Sequence, residues 1–156
     1  MILVIDQVLS EPELGELRSD LARIAFESGE ATAGALARAV KRNEQAVADP
    51  CALAWRDRIA AALARHPVFQ LAARPQRILG PLLSRYREGD GYGLHVDEPV
   101  MDGSRTDLSF TLFLDDPATY DGGELVIDSA AGEEAIKLDA GRLALYPSTS
   151  LHRVAE

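Results

Sequence analysis

Hydrophobic periodicity divides the chain into two unlike parts. In the first part apolar residues recur at helical spacing. Leu14, Leu17, Leu21 and Ile24 share one face, and Ser10-Glu-Pro-Glu13 ahead of them reads as a capping box, so a helix is predicted over 11–26. Asp49-Pro50 is an N-cap followed by proline at the first helical position. It opens a second predicted helix to about Arg65, with Leu53, Ile59 and Leu63 among its buried residues. Trp55 falls off that stripe and is expected to pack on a neighbouring element. His66-Pro67 ends the helix, which makes His66 a terminus residue rather than a ligand. Residues 2–5 are β-prone and suit a short first strand.

From about residue 76 the period changes. Gln76–Tyr86, Leu94–Asp97, Asp107–Leu114, Glu124–Ile127, Glu134–Leu138, Arg142–Tyr146 and Leu151–Val154 are short apolar or alternating runs. Turn signals separate them: Gly89-Asp-Gly, Asp102-Gly, Asp115-Asp-Pro, Asp121-Gly-Gly, Ala131-Gly and Asp139-Ala-Gly. Helices first and many short strands later predict an α+β, mainly β protein: a sandwich or barrel with helices packed on one sheet. Residues 29–49 carry the weakest pattern. They read as a solvated connection, or as a segment along a cavity edge with Lys41, Asn43 and Gln45 facing one way.

At 156 residues the chain is expected to form a single domain, 1–75 as helical support and 76–156 as the β-rich core. No apolar run approaches the roughly 20 residues that span a bilayer, and Met-Ile-Leu-Val-Ile-Asp lacks a basic n-region, so no membrane partner and a cytoplasmic location are expected. The single cysteine, Cys51, excludes an internal disulfide framework and reads as a helix-face packing residue. A net charge of −9 argues against nucleic acid as partner. Between Asp90 and Asp139 thirteen Asp/Glu face only Arg105 and Lys137. Such acid keeps a domain soluble; it also suits a cationic substrate or a divalent metal.

The divalent metal has a candidate site. On an extended strand residues i and i+2 share a face, so His95 and Asp97 would project side by side. Alone, His-x-Asp is usually a solvated pair. Here a Tyr/Gly-rich approach precedes it and a second histidine, His152, follows after enough chain for four or five strands. Two histidines and one carboxylate on one face of a metal form the facial triad of non-heme iron(II) oxygenases. Zinc accepts the same three ligands with a water in the fourth position. Rival constellations are weaker. Ser148-Thr149-Ser150 lacks a nucleophile-elbow pattern, and Gly89-x-Gly91-x-Gly93 lacks a phosphate-loop context, reading instead as a tight turn before the ligand strand.

Several motifs together resemble one family. Tyr86-x-x-Gly89-x-x-Tyr92-x-x-His95-x-Asp97, Thr106-Asp-Leu-Ser-Phe-Thr-Leu-Phe-Leu114, Tyr120-Asp-Gly-Gly-Glu-Leu125 and Leu145-Tyr-Pro-Ser-Thr-Ser-Leu-His152-Arg153 resemble the iron(II)/2-oxoglutarate-dependent dioxygenases, most of all the PKHD-type, prolyl-hydroxylase-like hydroxylases. Ala31-Thr-Ala-Gly34 and Val40-Lys-Arg-Asn43-x-Gln45 extend the resemblance into the first half. It implies a double-stranded β-helix (jelly-roll) core with the N-terminal helices on one sheet. It implies iron(II) held by His95, Asp97 and His152, 2-oxoglutarate as co-substrate and support by L-ascorbate. A small-molecule or peptidyl substrate would be hydroxylated, with succinate and CO2 as co-products. Tyr86 matches a co-substrate-pocket tyrosine, and Thr111 and Phe113 would line the same pocket. A non-catalytic metal-binding or interaction jelly-roll is the alternative.

One departure accompanies the resemblance. The family pairs the distal carboxylate of 2-oxoglutarate with an arginine about ten residues beyond the last iron-binding histidine, and here four residues follow His152. Arg153 should point to the opposite face of its strand, and Arg142 is the other candidate. The expectation is a chain that lacks a C-terminal segment with its closing strand, binds metal, holds 2-oxoglutarate weakly, and is open to pairing between chains at the exposed edge.

Overall fold

In the structure, a computed structural model that describes residues 2–32 and 37–156, the capping box at Ser10 is formed. Ser10 N donates to Glu13 Oε2 at 2.8 Å. The helix it opens, α1 (Glu11–Leu21), is shorter than its pattern predicts. The reason is tertiary. Asp49 Oδ2 takes the N–H of Ala25 at 3.1 Å, and the chain leaves the helix to form β2 (Glu27–Ser28). Asp49 Oδ1 also accepts from Cys51 and Ala52, which caps α2 (Pro50–Arg65) as the sequence indicates.

The buried stripe of α2 is Ala52, Trp55, Ile59 and Leu63. That corrects two expectations. Trp55 is 1% exposed and central, with Nε1 donating to Asp20 Oδ2 at 2.8 Å, whereas Leu53 is 40% exposed. A short α3 (Pro67–Ala73) follows, unanticipated because its two turns give too few residues for a period. His66 caps it: Nδ1 accepts from Phe69 N and Nε2 lies 3.0 Å from Asp6 O. It is a terminus residue, as expected. Cys51 packs against the helical core.

The other strands are β1 (Leu3–Ile5), β3 (Lys41–Arg42), β4 (Glu44–Ala46), β5 (Leu83–Arg85), β6 (Gly91–His95), β7 (Val100–Met101), β8 (Ser104–Arg105), β9 (Leu108–Leu112), β10 (Leu125–Ser129), β11 (Gly132–Ile136), β12 (Leu143–Pro147) and β13 (Leu151–Val154). Residues 76–82, expected to extend the strand before Tyr86, stay irregular. Residues 29–49, read mainly as a connection, supply β3 and β4 instead. Of the Ala31-Thr-Ala-Gly34 motif, Ala33 and Gly34 lie outside the described residues.

One sheet runs β11-β10-β13-β6-β3, a second β1-β12-β9 and a third β2-β4-β5, and every pairing is antiparallel. The chain winds between layers: β9 in one, the β10–β11 hairpin in the other, β12 back, β13 across again. That alternation is the double-stranded β-helix. β12 shows the layering residue by residue. Leu143 and Leu145 join the core beneath the helices, while Ala144 and Tyr146 join a second core with Phe113, Leu125, Ile127 and Ile136 between the sheets. Among the described residues no helix is long and apolar enough to cross a membrane.

Candidate metal centre

Strand register brings the two histidines together. His95 closes β6, His152 lies on β13, and they are direct cross-strand partners with ring centroids 4.2 Å apart. Both are buried. Asp97 lies two residues past the end of β6, where its N–H donates to Ser148 O at 3.2 Å. That loop contact, rather than strand alternation, turns its carboxylate back to the histidines. Ligand atoms of His95, Asp97 and His152 all lie within 4.8 Å of one another.

The donor geometry fits a cation. His95 Nδ1 lies 2.8 Å from Gly93 O and His152 Nδ1 lies 2.9 Å from Ser150 O. In each case Nδ1–H donates to the carbonyl two residues back, which leaves the Nε2 lone pair free. Both Nε2 atoms are 3.7 Å from Asp97 Oδ1. That exceeds a hydrogen bond. It is below about 4.2 Å, the span across one ion with metal–nitrogen bonds of about 2.1 Å. Burial lowers the His95 pKa below its ordinary value, against the Gly93 carbonyl and with a further lowering from His152, so the ring is neutral and a ligand at neutral pH. The other Asp97 oxygen, Oδ2, accepts from Ser109 Oγ on β9.

Three tyrosines surround the triad. Tyr92 stacks on His95 with centroids 3.5 Å apart and planes 15° apart. Tyr146 meets His152 edge-on at 5.1 Å. Tyr86 is half-buried beyond β5, and near enough to Tyr92 and Tyr146 to raise both if it ionised. Burial pushes Tyr86 and Tyr92 up to about 12 and Tyr146 well above the usual phenol range. All three are therefore neutral hydrogen-bond donors or acceptors at neutral pH. Thr111 lies on β9 beside the strand that carries Tyr146, whereas Phe113 is taken up by the inter-sheet core.

Other candidates resolve plainly. Lys41, Asn43 and Gln45 are buried, as in the cavity-edge reading rather than the solvated one. Ser148 is buried and structural: its N–H and hydroxyl bond the Asp107 and Thr106 carbonyls. Arg153 turns away to Glu133 at 3.2 Å. Arg142 is held by Asp6 at 2.6 Å and Asp139 at 3.6 Å, which leaves it no role at the triad. Of the approach glycines, Gly89 has φ 79° in the turn, as expected, but Gly93 lies within β6, where a Cβ would stand 2.7 Å from Val40 Cβ. Ser109 was missed because nothing in its strand pattern marks a ligand partner; its alternation with Thr111 is the only signal that it faces inward.

Known proteins resemble this one over the same parts. Residues 81–156 match the 2OG-Fe(II) oxygenase superfamily. A PKHD-type hydroxylase of Parvibaculum lavamentivorans is 53% identical over 132 residues, covering 85% of this chain and 60% of the relative. One from Hyphomonas neptunium is 47% identical over 158 residues, covering 98% of this chain and 70% of the relative. Among solved structures, a Pseudomonas putida prolyl-4-hydroxylase superposes with TM-score 0.70 at 20% identity, over 99% of this chain and 84% of its own. A prolyl hydroxylase from Trichoplax adhaerens, in complex with a peptide fragment of a hypoxia-inducible factor, gives TM-score 0.67 at 18% identity, over 99% and 76%. The two superpositions agree with the jelly-roll winding, and the degree and extent of sequence identity place the chain in the PKHD-type hydroxylases of the 2OG-Fe(II) oxygenase superfamily.

Proposed function

We propose that this chain carries the catalytic centre of an iron(II)- and 2-oxoglutarate-dependent hydroxylase, with His95, Asp97 and His152 as the iron ligands. The observation that carries the reading is the shared focus of two buried Nε2 lone pairs, each 3.7 Å from Asp97 Oδ1, with all three ligand atoms within 4.8 Å of one another. Imidazole and carboxylate suit iron(II) while leaving coordination positions open. Bound iron(II), with 2-oxoglutarate and oxygen, supplies oxygen insertion into a substrate C–H bond, giving succinate and CO2.

The chain's own groups do the positioning. Carbonyls of Gly93 and Ser150 hold the imidazole tautomers, and Ser109 holds the carboxylate. Tyr92 shields the face of His95 from water. Tyr86 offers a protonated phenol to a co-substrate carboxylate, and Thr111 shares β9 with Ser109. Residues 1–156 act as one domain, the helices stiffening the layer opposite the ligand sheet. Ascorbate would keep the iron reduced, in the cytoplasm. The substrate is a small molecule or a peptide, the latter suggested by the peptide on the Trichoplax enzyme.

Anaerobic addition of iron(II) and 2-oxoglutarate should produce a visible charge-transfer band. Admission of oxygen should then yield succinate in step with oxygen consumed. Metal binding with neither result would leave a zinc-type or non-catalytic jelly-roll as the correct reading.

A further inference from the structure

The chain has only two lysines, and they are treated differently. Lys137 donates to Tyr120 O and has the Glu124 carboxylate at 3.9 Å. Lys41 is 5% exposed, yet no carboxylate among the described residues forms an ion pair with it. Its Nζ donates to Thr32 Oγ1 at 2.7 Å and Gln45 Oε1 at 3.3 Å, two neutral acceptors for three protons. Gln45 is held in turn by Ser84 Oγ at 3.0 Å and by the Thr32 hydroxyl. An ammonium held this way is fixed in place but not neutralised, and a buried charge without a counter-charge is costly.

Its position gives the cost a use. Lys41 pairs with Tyr92 across the β3–β6 ladder, its Nζ is 5.2 Å from the Tyr92 ring centroid, and that ring lies on His95. The one acid whose charge reaches it is Asp97, a member of the triad. Around the centre stand the phenols of Tyr86, Tyr92 and Tyr146, all protonated at neutral pH, and the hydroxyl of Ser109, all of them uncharged. A buried cation held only by neutral partners complements an anion.

We propose that Lys41 is the carboxylate-recognition group of this active site, set to receive a carboxylate of a molecule held against the His95–Asp97–His152 centre. The inference rests on the reading of that centre as a metal site. The carboxylate has two chemical sources: the end of 2-oxoglutarate remote from the keto acid, or a carboxylate borne by the substrate. Either way Lys41 determines specificity, and an uncharged molecule of the same shape binds poorly. A purely structural Lys41 would only tie β3 to β4 and the Gly29–Thr32 turn, with no response to ligand.

The presence of two lysines makes the test simple. The chain, loaded with diamagnetic zinc and labelled with 13C at lysine Cε and in histidine, is titrated with 2-oxoglutarate, with pyruvate, and with glutarate after saturation by pyruvate. Both 2-oxo acids should move the His95 and His152 signals. If 2-oxoglutarate also moves Lys41 and pyruvate does not, the proposal holds and the source is the co-substrate. If glutarate moves Lys41 in the pyruvate complex, it holds and the source is a second molecule, as a substrate would be. Lys137 should stay still throughout. Lys41→Met, which also assigns the signal, should weaken the responsible acid about tenfold or more. Histidines that respond while Lys41 stays still in every titration overturn the proposal and leave the metal reading intact. Histidines indifferent to zinc overturn the metal reading, and this inference falls with it.

Discussion

Ser109 offers the sharpest check on how the triad is held. Its hydroxyl donates to Asp97 Oδ2, while Asp97 Oδ1 faces both histidine Nε2 atoms. Asp97 itself stands on a loop, its backbone fixed by its N–H to Ser148 O at 3.2 Å. In Ser109→Ala the carboxylate keeps its chemistry but loses the partner that orients it. Loss of such an outer contact to a metal ligand costs 10- to 100-fold in metal affinity as a typical range, or about 1.4–2.7 kcal/mol. Stability without metal should change by less than about 1 kcal/mol, because the Asp97 side chain is 33% exposed and water can replace the hydroxyl. Anaerobic competition for iron(II) against a coloured chelator gives the affinity, and urea melts of the metal-free chain give the control. Affinity within twofold of the parent would refute the assignment of Ser109 as an orienting group. Weaker affinity matched by an equal loss of stability would refute the claim that its effect is local.

Other outcomes follow from the same structure. His95→Ala and His152→Ala should each abolish stoichiometric metal binding, read by metal analysis after desalting, since two remaining donors cannot hold a facial site. Trp55→Ala should cost about 3–5 kcal/mol by urea denaturation, because it empties the centre of the helical core and takes the indole donor from Asp20 Oδ2. Gly93→Ala should destabilise by about 1–3 kcal/mol, its methyl meeting Val40 in the strand that carries His95. Burial holds the His95 pKa below its unfolded value of 6.5, so the unfolded chain takes up the proton first. Its contribution is complete above about pH 6.5 and lost as pH falls from there towards the lowered folded value. Urea midpoints of the metal-free chain should decline over that window, and His95→Gln should flatten the decline.

Much of this was legible in the order of residues. Ser10 with Glu13, and Asp49 with Pro50, fixed where two helices begin, because capping is chemistry within a single turn. Alternating runs parted by Asp-Gly and Gly-Gly marked most strands after residue 90, and His95, Asp97 and His152 stood out by residue type and motif. What the order of residues could not fix was anything set by a distant partner. α1 stops early because Asp49, twenty-four residues from Ala25, captures a backbone N–H. Trp55 is central and Leu53 exposed because the direction of the α2 stripe depends on what α2 packs against. Only the β6–β13 register sets His95 opposite His152, since a slip of one residue would send either ring to the other face. Only the β3–β6 pairing carries Lys41, from a segment with no periodic pattern, to the flank of the metal centre. Local chemistry writes caps, turns and donor types into the chain, whereas burial, register and convergence belong to the folded whole, where residues far apart in sequence share one dielectric and one cavity.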